Sequence, residues 1–331
     1  MKTIKWGILA TGNIANNFAE ALNAVADAEL LAVGSRTAER ARGFAQKWGI
    51  PRHYASYDAL VNDPDIDVIY IASPHNAHYD NMLLSLNAGK HVLCEKSLTI
   101  NALQAQTCID LAREKNLFLM EAVWMRFFPA TQQVRDWVQD SIIGEIQLLQ
   151  ADFCIRVPFD PQHRLYDLER AGGALLDLGI YPISFASMVL GTDAIERVQS
   201  TAHLGTTGVD EWDSITFHYS DQSMASLHCG LRAYKPREAF IIGTEGYIKV
   251  HNIFFRPDTL TLHLNGKEPQ THHLPFEGNG YAHEIHEVHR CLRDGLQESP
   301  LMPLDETLAI MRVMDNLRQQ WGVQYPEENH Q

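Results

Sequence analysis

The chain has 331 residues, 45% of them in the hydrophobic set, enough for about two domains of ~150 residues, each with its own core. Its 27 basic and 41 acidic residues leave a net charge of −14, which argues against a nucleic-acid or anionic-membrane surface but allows a local basic pocket. Cys94, Cys108, Cys154, Cys229 and Cys291 are scattered and form no CxxC or metal pattern, so reduced thiols, a cytoplasmic protein and no bound metal are expected. No apolar run approaches the ~20 residues of a membrane span, and the N-terminus lacks a signal-peptide layout.

The run Ile4-Lys5-Trp6-Gly7-Ile8-Leu9 suits a buried parallel strand. It breaks at Ala10-Thr11-Gly12-Asn13-Ile14-Ala15 and continues with Ile14, Phe18, Ala21 and Leu22 at helical spacing. Strand, tight turn and helix are the context of a dinucleotide fingerprint, here with Ala10 in place of its first glycine and Ala15 at its third position. A second strand over 28–35 ends at Ser35-Arg36. Dinucleotide folds place the adenosine ribose there, and an acidic residue would mark NAD. A hydroxyl and a guanidinium suit a 2′-phosphate instead, so NADP is the expected cofactor. The strand over 67–72 delivers Ser73, Pro74, His75 and His78 to the carboxyl edge of the sheet, where they are expected to line the cofactor cleft or cap the next helix. The strand over 91–96 delivers Glu95 and Lys96 to the same edge. A helix over 100–115 and a strand over 117–122 complete a dinucleotide-binding domain of residues 1–122.

The pattern changes over 123–331. A helix over 129–140 and a strand over 146–153 precede Gly172-Gly173, which open an apolar helix reaching Leu190. That helix carries Asp177 and Tyr181 four residues apart, hence on one face. Strand-like runs at 213–219, 224–231, 239–242, 247–250 and 259–264 follow without helices between them, which implies a large, mostly antiparallel open sheet in an α+β domain. Helices near 280–294 and 304–321 close the chain.

Together, the Rossmann-like half, Glu95-Lys96 at the end of the fifth strand, and Asp177 on a helix of the second half resemble the glucose–fructose oxidoreductase / inositol dehydrogenase / MocA family over nearly the whole chain. The family usually has His four residues after the Asp, and Tyr181 replaces it. In this the chain is similar to the branch of dimeric dihydrodiol dehydrogenases and NADP-dependent D-xylose dehydrogenases. The stretches 119–129, 172–181 and 298–304 agree. Ser97 departs from the usual Pro after the Lys.

The resemblance implies an NADP-dependent dehydrogenase acting on a secondary or hemiacetal hydroxyl of a sugar such as D-xylose, or on a trans-dihydrodiol. Tyr181 would take the hydroxyl proton, Lys96 would hydrogen-bond the same oxygen, and Asp177 would orient the pair. Trp124, Arg126, Phe153 and Tyr166 are the candidates for the pocket wall, with Trp124 and Arg126 also expected at the cofactor. The rival readings are a reductase of a dicarbonyl or anhydro-sugar and a catalytically silent NADP-binding regulator. A homodimer through the second-domain sheet is expected, with no nucleic-acid or membrane partner.

Overall fold

A computed structural model describes residues 3–330; residues 1, 2 and 331, the outermost of the two expected domains, lie outside the described residues. The chain forms two compact units, residues 1–124 with 277–308, and residues 125–276 with 309–331.

The first unit alternates strand and helix: β1 (Ile4–Leu9), α1 (Asn13–Ala24), β2 (Ala28–Gly34), α2 (Ala38–Trp48), β3 (Arg52–Tyr54), α3 (Tyr57–Val61), β4 (Val68–Ile71), α4 (His78–Asn87), β5 (His91–Glu95), α5 (Ala102–Glu114) and β6 (Leu119–Ala122). The strands are short apolar runs because helices cover both faces of a parallel sheet. Side-chain caps set several helix starts: Thr37, Ser56 and Asn101 accept backbone N–H groups of α2, α3 and α5. The six strands lie in the order β3-β2-β1-β4-β5-β6, all parallel. Strand order reverses between β1 and β4, and ligands bind outside the carboxyl ends at such a point.

The segment 277–308 returns to this first unit, a feature the sequence pattern does not announce. The Trp6 indole donates to His289 Nε2 at 3.0 Å, and His289 Nδ1 faces Asp27 at 3.2 Å. Asn279 donates to the carbonyl of Asn17 at 2.8 Å, and Tyr281 meets the Phe18 ring edge-on.

The second unit holds α6 (Pro129–Gln139), β7 (Ile146–Cys154), a π-helical turn (Leu175–Gly179), α7 (Ile180–Leu190), and β8 (Ile195–Leu204), β9 (Asp210–Tyr219), β10 (Met224–Gly230), β11 (Ala239–Gly243), β12 (Gly246–Val250), β13 (Thr259–Leu264) and β14 (Gln270–His273). Then α8 (Ala282–Arg293) belongs to the first unit, and α9 (Leu304–Trp321) begins in the first and ends in the second. The eight-stranded sheet runs β14-β13-β12-β11-β7-β10-β9-β8, antiparallel except for β7 beside β10. Leu149, Ala151, Phe153, Ile215, Phe217, Leu227, Ile241 and Ile248 are buried on one face. The other face, with Leu148, Trp212, Phe240, Ile242 and Tyr247, is half-exposed.

Within Leu168–Leu190, which includes Glu169, Arg170 and Asp177, an 18-residue window reaches a mean hydropathy of 1.5. Of this window 83% is buried inside the fold, as in a core helix.

Candidate active site

The first unit builds a nucleotide cradle at the ends of β1 and β2. Ala10, where the fingerprint wants glycine, sits at φ 86°, a left-handed conformation that costs an L-residue ~1–2 kcal/mol. Its N–H donates to the carbonyl of Gly34 at 3.0 Å, tying the turn to β2. Gly12 precedes α1, whose start carries no side-chain cap, and a Cβ there would meet nothing within 4 Å. Backbone N–H groups of Asn13 and Ile14 thus open the helix next to empty space, the arrangement that binds a pyrophosphate. At the end of β2, Ser35 is buried and Arg36 exposed. Burial raises the pKa of the Tyr57 hydroxyl, and the charges of Arg36 and Arg40 oppose that rise. Arg40, which the sequence reading did not single out, lies in the first turn of α2, four residues after Arg36.

The Lys96 loop is held from three sides. His75 Nε2 donates to the carbonyl of Lys96 at 3.0 Å. His78 lies between two carbonyls, with Nδ1 2.9 Å from Ser97 O and Nε2 2.8 Å from Ser73 O. Burial lowers the pKa of this imidazole, although both carbonyls favour its protonated form. The N–H of Leu98 donates to Glu121 at 2.8 Å, and the Lys96–Ser97 peptide, where the expected Pro is Ser, is cis. α4 has no side-chain cap, so the two histidines fix the lysine loop rather than cap the helix, and the fully buried His78 acts through backbone. Ser73 accepts from Asn81 at 2.9 Å, and Pro74 leads into the short helical turn that carries His75.

Glu95, beside Lys96, is buried and accepts from the Tyr70 hydroxyl. Glu284 of α8 is fully buried, and its two oxygens have no hydrogen-bond partner among the described residues. Burial first, and then the charge of Glu95, push its carboxyl well above the usual range. Trp124 packs against Tyr281 with ring centroids 4.7 Å apart.

The second unit supplies a different chemistry. Tyr181 is the second residue of α7 and is 7% exposed. Its ring packs against Phe153 at 5.4 Å and Phe255 at 4.9 Å, and these two stack on each other at 4.0 Å. Asp177 lies in the π turn rather than in the expected α-helix. Gly179 permits this widening beside β10: a Cβ there would stand 2.9 Å from Cys229 Sγ. Arg164 forms a two-pronged ion pair with Asp177, Nη1 to Oδ1 at 3.2 Å and Nη2 to Oδ2 at 3.0 Å. Tyr166 is buried, and its hydroxyl donates to the carbonyl of Val157 at 2.9 Å, so the hydroxyl closes its own loop. Arg126 is also buried, and it donates from Nε to Ser184 Oγ and from Nη2 to the carbonyl of Ser184, both at 2.9 Å. Its guanidinium therefore supports α7.

Residues 4–123 match the model described as an oxidoreductase family with an NAD-binding Rossmann fold, and residues 131–249 match the GFO/IDH/MocA C-terminal domain. The trans-1,2-dihydrobenzene-1,2-diol dehydrogenase of Xenopus tropicalis is 39% identical, covering 97% of this chain and 99% of its own. The chain belongs to the GFO/IDH/MocA oxidoreductase family. The human enzyme of the same name is 35% identical over 98% of the chain and 99% of its own. Among solved structures, a 3-ketoreductase from Actinomadura kijaniata in complex with NADP and TDP-benzene matches with a TM-score of 0.85 and 27% identity, covering 96% of this chain and 98% of that one. An aldose-aldose oxidoreductase from Caulobacter crescentus shares the fold at a TM-score of 0.87 and 20% identity, covering 96% and 97%. As a GFO/IDH/MocA oxidoreductase the chain thus has the expected α/β domain followed by an α+β domain.

Proposed function

We propose that this oxidoreductase uses NADP to move a hydride to or from the carbon of a secondary or hemiacetal hydroxyl, on a trans-dihydrodiol or a pyranose such as D-xylose. The observation that carries the reading is Tyr181, an ionisable hydroxyl on a ring fixed by Phe153 and Phe255, one helical turn after the paired Asp177. The aromatic wall suits an arene or the apolar face of a sugar. The dihydrodiol dehydrogenase relatives support a diol, and the NADP-bound ketoreductase supports both the cofactor and the reverse direction, reduction of a ketone.

Bound NADP supplies or accepts the hydride at its nicotinamide ring. The turn of Ala10, Thr11, Gly12, Asn13 and Ile14 holds its pyrophosphate, and Ser35, Arg36 and Arg40 hold the 2′-phosphate. Glu95 and Trp124 belong to the nicotinamide half. The clamp of Ser73, Pro74, His75 and His78 keeps Lys96 in place. Tyr181 exchanges the proton of the reacting hydroxyl, Lys96 donates a hydrogen bond to that oxygen and favours the tyrosinate by its charge, and Asp177 orients the pair. Phe153 and Tyr166 shape the substrate wall. The half-exposed face of the eight-stranded sheet joins two copies into a homodimer. The five unbridged thiols fit a reducing, cytoplasmic setting.

The test is Tyr181→Phe, assayed by NADP reduction over cyclic diols, pentoses and hexoses. It should lower kcat by about 10²–10⁴, the worth of a positioned acid/base, while NADP affinity stays within a few-fold. Near-normal turnover by the variant would refute the assignment. Absence of turnover by the parent on every diol, sugar and ketone tried would favour the silent NADP-binding regulator.

A further inference from the structure

Two carboxyl groups that the mechanism does not use lie beneath the start of the helix carrying Asp177 and Tyr181. Asp210 and Asp213 are three apart on β9, a spacing that would normally send them to opposite faces. The register with β8 slips at this point: His203 pairs with Trp212 and Leu204 with Asp210, which leaves Glu211 as an extra residue. The bulge turns both acids inward, where each has 0% exposure. Asp210 Oδ2 accepts the N–H of Leu175, the first residue of the π turn, at 2.6 Å, and Ala174 adds a second backbone bond. Gly173, at φ +120°, leaves the room: a Cβ there would lie 2.1 Å from Asp210 Oδ1. On the other side, the Cys229 thiol donates to Asp213 Oδ2 at 3.0 Å.

The remaining oxygens, Asp210 Oδ1 and Asp213 Oδ1, are both buried and have no donor among the described residues. Two ionised carboxylates in such a place would repel each other in a poorly solvated interior, whereas one proton between them satisfies both atoms. We propose that Asp210 and Asp213 share a single proton, held on Asp213, and act as positioning residues that fix the first turn of the Tyr181 helix through the ionised Asp210. Burial first, and then the charge of Asp210, push the Asp213 carboxyl well above the usual range; burial also raises Asp210, to about 6, while the backbone donors oppose the rise. Tyr325 closes the cluster from the other side, with its hydroxyl donating to the carbonyl of Gly172 at 3.1 Å and its ring under Arg318.

The inference rests on Tyr181 being the acid/base, so Tyr181→Phe is measured alongside. Asp210→Asn removes the anion that holds the turn; kcat should fall about 10- to 100-fold with NADP affinity and KM within a few-fold. Asp213→Asn keeps a neutral donor toward Asp210 and should stay within about threefold of the parent, whereas Asp213→Ala should fall as far as Asp210→Asn. Equal losses in both Asn variants, or a greater loss in Asp213→Asn, overturn the proton assignment. Full activity in Asp210→Asn while Tyr181→Phe is inactive overturns the positioning role and spares the assignment of the base. An active Tyr181→Phe overturns that assignment, and with it the positioning role. Infrared spectra at neutral pH decide the proton independently of turnover: the parent-minus-Asp213→Asn difference should contain a protonated-carboxyl band, the buried Glu284 carboxyl being common to both proteins and cancelling, and absence of any such difference band overturns the proposal.

Discussion

Arg164 offers the sharpest test of the substrate half of the site, because it holds Asp177 and the sequence reading passed over it. Its guanidinium makes two parallel charge-assisted bonds, at 3.2 and 3.0 Å, to a carboxylate whose side chain is only 10% exposed. The arginine side chain is 53% exposed, so solvent screens the pair and the gain falls below that of a buried ion pair. Hydrogen bonds to a charged group are worth about 1.5–3 kcal/mol, and the half-exposed partner moves the expectation to about 1–2 kcal/mol. Arg164→Met keeps much of the aliphatic stem and removes both of these donors to Asp177. If Asp177 must be held in one orientation for Tyr181 to work, kcat should fall about 5- to 30-fold with a small change in melting temperature, since 1.4 kcal/mol is a factor of ten. The decisive assay is a double-mutant cycle on kcat/KM with Asp177→Asn, whose coupling should be about 1–2 kcal/mol. A coupling below about 0.3 kcal/mol would show that the ion pair is a surface ornament and that the proposed orienting role of Asp177 does not pass through Arg164.

Three further outcomes follow from particular contacts. Arg36→Ala and Arg40→Ala should each weaken NADP binding about tenfold or more while leaving NAD nearly untouched, read by fluorescence titration; equal losses for both cofactors would place the guanidinium groups away from the 2′-phosphate. Light scattering should give twice the chain mass of 37.4 kDa, and a Phe240→Asp, Tyr247→Asp double variant should halve it; a parent monomer at micromolar concentration removes the sheet-face dimer. Glu284→Gln should become more stable relative to the parent as pH rises above the ordinary glutamate value. The sign follows from a folded carboxyl raised above its unfolded value: its stabilising share is full at low pH and is lost on the way up to the folded pKa. The difference should grow by up to ~1.4 kcal/mol per pH unit, measured as urea midpoints from pH 5 to 8, and parallel pH profiles for parent and variant would mean that Glu284 is ionised in the fold.

What the sequence made legible was whatever leaves a local pattern. Parallel strands buried on both faces read as apolar runs, so β1, β4 and β5 and the residues at their carboxyl ends were found within a residue or two. Glu95 and Lys96 came with them, whereas the four-residue spacing of Asp177 and Tyr181 suggested one α-helix and the fold puts Asp177 in the π turn that precedes it. Edge strands leave no such trace. β8 and β14 were not recognised because their exposed positions carry polar residues, as edges do when they must not template aggregation. The π turn was equally silent: Gly179 within it lies close against Cys229 on β10, an approach between residues 50 apart.

The groups that hold the reacting residues are nearly all of this long-range kind. His78 stood out at a strand end, but its bond to Ser97 did not, and Glu121, which accepts from Leu98, looks in sequence like an ordinary polar residue near a strand end. Arg164 meets Asp177 across a loop whose length fixes nothing by itself. Asp210 and Asp213 read as one exposed and one buried position of an alternating strand until the extra residue Glu211 turns both inward. A reacting side chain must present a particular atom and so is confined to a few residue types at a few places. A side chain that holds another in position needs only a donor or acceptor at the right point, and many sequences can deliver one. That is why Lys96 and Tyr181, the proposed reacting residues, stand out in the chain, while the bonds that hold the loop of one and the bulge beneath the other required the fold.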